Sequence, residues 1–221
     1  MLFDLRSRGR RRTVQVVYLG LAVLMFFGLV LFGVGAGNGF GGLLNAFTGN
    51  GSSGAQNQVV SQQEKTALKA TKANPNDPAA WASLVQARWT SAGQGNDYNA
   101  TSGTFTTTGK KELAGAAAAW QQYLKLTNSP SPDLATLAAR TYAALGNYAQ
   151  AAVAWEIVAR ATPTAPKGFE CLAATAYAAK QNRKGDLAAA KAESLVPKAQ
   201  QTALKAALAQ AKTNPSVAQS C

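Results

Sequence analysis

The sequence predicts an all-α protein: a single N-terminal transmembrane helix followed by a short solenoid of about three helical hairpins. Three observations predict it. Residues 14–34 form an apolar run with no charged residue. Proline-led helix starts recur at Pro78, Pro132 and Pro166. "AAAAW" at 116–120 returns as "AAVAW" at 151–155, at the same spacing, to within one residue, as that between Pro132 and Pro166. A two-helix repeat of that length leaves an apolar face that only a neighbouring hairpin covers, so the hairpins must stack. A chain of 221 residues with 47% apolar and 14% charged side chains has the apolar matter for such a core. That balance excludes a disordered polyelectrolyte and a many-spanning membrane protein.

The elements follow in order. Residues 1–13 are a basic segment in which Arg6, Arg8, Arg10, Arg11 and Arg12 stand against Asp4. Residues 14–34, at ~1.5 Å rise each, span roughly the 30 Å of a bilayer core. The run exceeds the ~7–15 apolar residues of a cleaved signal peptide, which predicts a retained anchor in the lipid bilayer. The five arginines lie just before the span, and the next basic residue is Lys65. The positive-inside rule therefore puts the N-terminus in the cytoplasm of a cytoplasmic-membrane protein and everything after residue 35 on the extracytoplasmic side. This position also explains the arginines without a nucleic-acid partner, for which they lack interleaved aromatic residues.

Residues 35–58 are rich in Gly, Ser, Asn and Gln and read as a flexible tether. Residues 59–213 are the helical repeat domain. Its helices open where a capping residue precedes proline, at Asp77-Pro78 and Ser131-Pro132 and more weakly at Pro166, because proline at the first helical position sacrifices no hydrogen bond. Residues 93–109, "GQGNDYNATSGTFTTTG", interrupt the first hairpin with an insertion that cannot continue either helix. Tyr98 and Phe105 are the only large apolar groups in it that can hold it down. Lys184, Lys191, Lys198, Lys205 and Lys212 recur at heptad spacing, that of a solvated helix face, and Pro197 breaks the run in two. Residues 214–221 form a tail.

The middle of the chain resembles the tetratricopeptide repeat family. Counting from Pro132, Ala139 occupies the eighth position, Tyr142 the eleventh, Gly146 the fifteenth, Tyr148 the seventeenth, Ala151 the twentieth, Trp155 the twenty-fourth and Pro163 the thirty-second. Ala139 and Ala151 then mark the close crossing of the two helices, and Gly146 ends the first of them. From Pro78 the pattern is looser. From Pro166, Phe169, Leu172 and Ala173 fit, while Tyr177 sits one place late and Gly185 falls outside the pattern. The resemblance implies a binding groove lined by the first helix of each repeat. Carried onto this chain, it puts Gln86, Trp89, Arg140 and Tyr177 in that groove, with amide and guanidinium donors for a peptide backbone and aromatic faces for an apolar side chain. A competing reading packs Trp89 and Tyr177 between repeats or under the 93–109 loop.

Nothing in the sequence forms a catalytic or metal-binding constellation. The chain has no histidine, and the nine acidic residues after Asp4 are dispersed. The expectation is therefore a protein that is not an enzyme and needs no cofactor or metal. Cys171 and Cys221 have two readings: a disulfide that ties the tail onto the last repeat, or a small buried Cys171 with Cys221 on a frayed end. The second is the expectation. The expected function is a membrane-tethered scaffold or chaperone-like adaptor that recruits envelope or secretory proteins through extended peptide segments. The alternative is a structural membrane protein that associates with copies of itself.

Overall fold

The computed structural model describes residues 53–221, with side chains from Val60 onward. The basic segment with its five arginines, the apolar run 14–34 and the first part of the tether lie outside the described residues. Among the described residues no helix is long and apolar enough to cross a membrane.

The described part is all-α apart from one small hairpin. Helix α1 (Ser53–Ala73) begins inside the stretch read as tether. Helix α2 (Pro78–Ala92) follows, started by Asp77, whose Oδ1 accepts a 2.9 Å hydrogen bond from the Ala79 amide. The insertion folds as a 3-10 turn (Gly95–Asp97) and a two-stranded antiparallel hairpin, β1 (Tyr98–Asn99) and β2 (Thr104–Phe105). Helix α3 (Thr107–Leu126) then starts inside the expected insertion, because the Thr106 hydroxyl caps it by accepting from the Gly109 amide. Helices α4 (Pro132–Ala144), α5 (Tyr148–Ala161), α6 (Pro166–Ala178), α7 (Asn182–Leu195) and α8 (Lys198–Thr213) complete the row, ending in a 3-10 turn (Pro215–Ser220). Proline opens α2, α4 and α6, as the sequence expects.

Each helix packs on its chain neighbours: α2 along α3, α4 along α5, α6 along α7, with α5 against α6. A second layer of contacts joins α2 to α4 and α6 to α8. The crossings use small residues. Ala139 and Ala151 are fully buried, and Tyr142 and Trp155 fill the space beside them at 5% and 2% exposure. Tyr142 accepts a 2.6 Å hydrogen bond from Gln121 Nε2, and the Tyr123 hydroxyl accepts from the Ser131 amide.

The turns after α4 and α6 are one turn used twice, each at the same distance from the proline that opens its helix. Gly146 has φ +75°, with its amide on the Ala143 carbonyl and that of Asn147 on Tyr142. Lys180 has φ +61° and repeats both bonds, onto Tyr177 and Ala176. This is the helix-ending motif that favours glycine, met here once by glycine and once by lysine.

Two sequence expectations need correction, for Gly185 and the cysteines, and that for the lysines is extended. Gly185 holds the position in its repeat that Ala151 holds in the one before, and does the same work. It is buried, and a Cβ there would come within 2.9 Å of Tyr177 Cζ, so glycine lets the Tyr177 ring lie on α7. The heptad lysines are largely solvated, as the spacing predicts, but four of them also engage neighbouring helices. Lys184 pairs with Glu156 at 2.8 Å, Lys205 with Glu193 at 3.6 Å and Lys212 with Asp186 at 2.7 Å, while Lys191 lies over the Phe169 ring. Lys184 and Lys191 reach from α7 to α5 and α6, whereas Lys205 and Lys212 meet carboxylates of α7 because the chain turns back at Pro197, just before α8. The cysteines, expected to be reduced, form a disulfide with Cα atoms 5.5 Å apart. Cys171 is fully buried as expected, but the turn after α8 folds back over α6 and carries Cys221 to it.

Candidate functional site

The site is built from the end of α2, the insertion, α4 and the segment 215–221. At the insertion, Asn99 Oδ1 accepts from the amides of Thr101 and Ser102, and Gly103 takes φ +67° to close the turn. This closure places Tyr98 opposite Phe105, their ring centroids 5.1 Å apart, and Phe105 in turn lies 6.2 Å from Trp89 of α2. The base of the insertion is fixed by the Thr106 amide bonding the Asp97 carbonyl at 2.9 Å. It also needs Gly109, where any Cβ would collide with the backbone of Asp97. The insertion is thus a rigid aromatic wall on a helical scaffold, the usual arrangement for binding loops.

Facing this wall is Arg140, exposed on α4, whose Nε donates a 3.0 Å hydrogen bond to the backbone carbonyl of Cys221. Between the two lies a cavity of about 550 Å³, closed on its third side by Gln219, Ser220 and Cys221 and bordered by Lys110 at the start of α3. Among the described residues neither Arg140 nor Lys110 is paired with a carboxylate side chain. The cavity therefore offers three aromatic faces beside two cations, one of which already donates to a main-chain oxygen. That combination suits an apolar side chain together with carbonyl or carboxylate oxygens.

Of the residues expected from the sequence, the structure brings Trp89 and Arg140 to this cavity. It does not bring Gln86 or Tyr177 there. Gln86 is half-buried one turn earlier on α2, its carbonyl accepting from the Thr90 hydroxyl. Tyr177 is only 2% exposed: its ring packs on Gly185 beneath Lys212, and its hydroxyl donates 2.9 Å to Asp186. Burial, with Asp186 as hydrogen-bond partner, raises the Tyr177 phenol above its usual range. Tyr177 sits one place later than Tyr142 in its repeat, and that displacement turns its ring toward α7. Sequence reasoning missed Lys110 and the segment 215–221. The available signal was the pair Cys171 and Cys221, together with small apolar Val217 and Ala218 in an otherwise polar tail.

A second charged cluster sits away from the cavity. Arg88 of α2 runs through the space left open by Gly115 of α3 and lies 3.4 Å from Glu64 of α1. Burial raises the nearby Glu112 carboxyl, and the negative charge of Glu64 adds to the effect. This cluster clasps α1, α2 and α3.

The described architecture defines an all-α protein with an aromatic, cation-bordered cavity at the insertion. No protein-family model, curated protein or solved structure matches the chain.

Proposed function

We propose that this chain is a membrane-tethered interaction module, a tetratricopeptide-like scaffold or chaperone-like adaptor that acts by binding rather than by chemistry. Residues 14–34 anchor it, the arginines before them keep the N-terminus in the cytoplasm, and the helical domain faces the extracytoplasmic side. Its ligands are extended segments of envelope or secretory proteins. One observation carries the reading: the cavity between the Trp89–Phe105–Tyr98 wall and Arg140, in which Arg140 already holds a backbone carbonyl. Support from the repeat pattern is secondary. It comes from the common spacing of Pro132 and Pro166, of the two helix-ending turns and of the small residues at 151 and 185.

The test is chemical cross-linking in intact membranes, read by mass spectrometry. The wild-type chain gives links to other proteins, and a Trp89→Ala/Arg140→Ala variant with unchanged helicity loses them. Links between copies of this chain alone would contradict the reading.

A further inference from the structure

Helices α2 and α4 touch, and so do α6 and α8, but α4 and α6 make little direct contact on this side of the domain. The turn 215–220 lies there instead, packed on both. Ala218 is 1% exposed, Val217 is half-buried, Gln219 Nε2 donates 3.1 Å to the Tyr148 hydroxyl, and the Cys221 carbonyl takes the Arg140 bond. Everything else in the turn is exposed. Its non-covalent hold is one fully buried methyl at Ala218, the half-buried Val217 and two surface hydrogen bonds, along a face shared with α4, α6 and α8. The covalent tie to Cys171, across a separation of 50 residues, keeps it in place.

We propose that the trough between α4 and α6 is a docking site for a short, neutral, turn-forming peptide that presents small apolar side chains, and that residues 215–221 are its occupant in cis. A partner segment of the same chemistry takes that place once the disulfide is opened. The trough then runs on into the aromatic cavity. Opening needs a dithiol. Its thiolate attacks Sγ of Cys221, the half-buried partner, forming a mixed disulfide, and Cys171 leaves as a thiolate that takes a proton from water. The second thiol of the reductant then displaces Cys221, so that the protein gains two thiols and the reductant one disulfide. While the disulfide is closed, the tethered segment competes at an effective concentration in the millimolar range and shuts out a free peptide.

The probe is a fluorescent peptide with the sequence of residues 213–221, serine replacing its cysteine, added to the full chain in detergent. Its anisotropy is followed with the oxidised protein, the dithiothreitol-reduced protein, Cys221→Ser and Cys221→Ser/Ala218→Asp. Saturable binding at least about tenfold tighter to the last variant than to the oxidised protein is the expected result, with the reduced protein in between. No binding to a double variant of normal helicity overturns the proposal, as does equal binding to the oxidised and reduced forms. Should the double variant lose helicity, hydrogen exchange on the reduced wild type decides: protection is lost only over 214–221 if the segment is a displaceable occupant, and over α6 as well if the disulfide is a structural cap. The inference rests on the peptide-binding reading above but fails separately from it. Partner cross-links that are the same with and without reductant sink the gate alone, and absence of partner links under both conditions sinks the peptide-binding reading.

Discussion

Replacing Gly185 by alanine separates a packing role from an accident of composition. Glycine inside a helix costs ~1 kcal/mol relative to alanine, so a Gly185 in open space would make Gly185→Ala stabilising by that amount. The structure puts the Tyr177 ring there instead, with Cδ1 2.5 Å and Cζ 2.9 Å from the new Cβ. The ring is 2% exposed and cannot swing into solvent without breaking its hydrogen bond to Asp186, the residue that also holds Lys212 of α8. Overpacking at a buried site costs ~1–3 kcal/mol, and the upper end applies to a ring that is both enclosed and held by its hydroxyl. Against the ~1 kcal/mol of helix propensity, the net is a loss of about 2 kcal/mol, or a melting temperature lower by about 4–8 °C for a domain of this size. Thermal melting of residues 53–221, which form one compact unit, followed by circular dichroism, reads it. In a Tyr177→Leu background the same change costs little, because the ring it displaces is gone. A Gly185→Ala protein that melts higher than the wild type would refute the packing argument.

Two further changes test other parts of the account. Lys180→Gly should stabilise by ~1 kcal/mol, seen as a higher melting temperature, because Lys180 is exposed and holds φ +61° where glycine carries no Cβ penalty. Glu112 keeps its proton in the folded state at pH values where the unfolded chain has released it, so its contribution to stability is lost as pH rises through its raised folded value. Glu112→Gln cannot ionise and should gain stability relative to the wild type as pH is taken from about 4 to 7; parallel pH profiles of the two proteins would contradict this.

The fold was largely legible because its signals are local. Proline after a capping residue, glycine at the end of the helix it opens and alanine at the crossing each act through their own turn of chain, and Pro132, Gly146 and Ala151 could be read without knowing what they touch. The parts that were not legible depend on the chain returning to itself. Gly185 reads as out of pattern until the Tyr177 ring is seen on it. The lysines read correctly as a solvated stripe, but their pairing across helices, such as Lys212 with Asp186, appears only when α8 folds back. Cys221 reads as a frayed end for the same reason. Half of the candidate site was legible. Trp89 and Arg140 both line the cavity, whereas Tyr177, one residue out of register, was carried about a quarter of a helical turn into the core.

The claim that this cavity receives a segment of another protein is tested most directly by a photo-reactive residue at Ala144, on the cavity wall, compared with one at Val153, exposed on α5 away from it. Illumination of membranes containing the full chain should give adducts with other proteins from position 144, lost when Trp89 and Arg140 are both alanine, and none from position 153. Adducts of equal yield from both positions, or adducts only between copies of this chain, would contradict it.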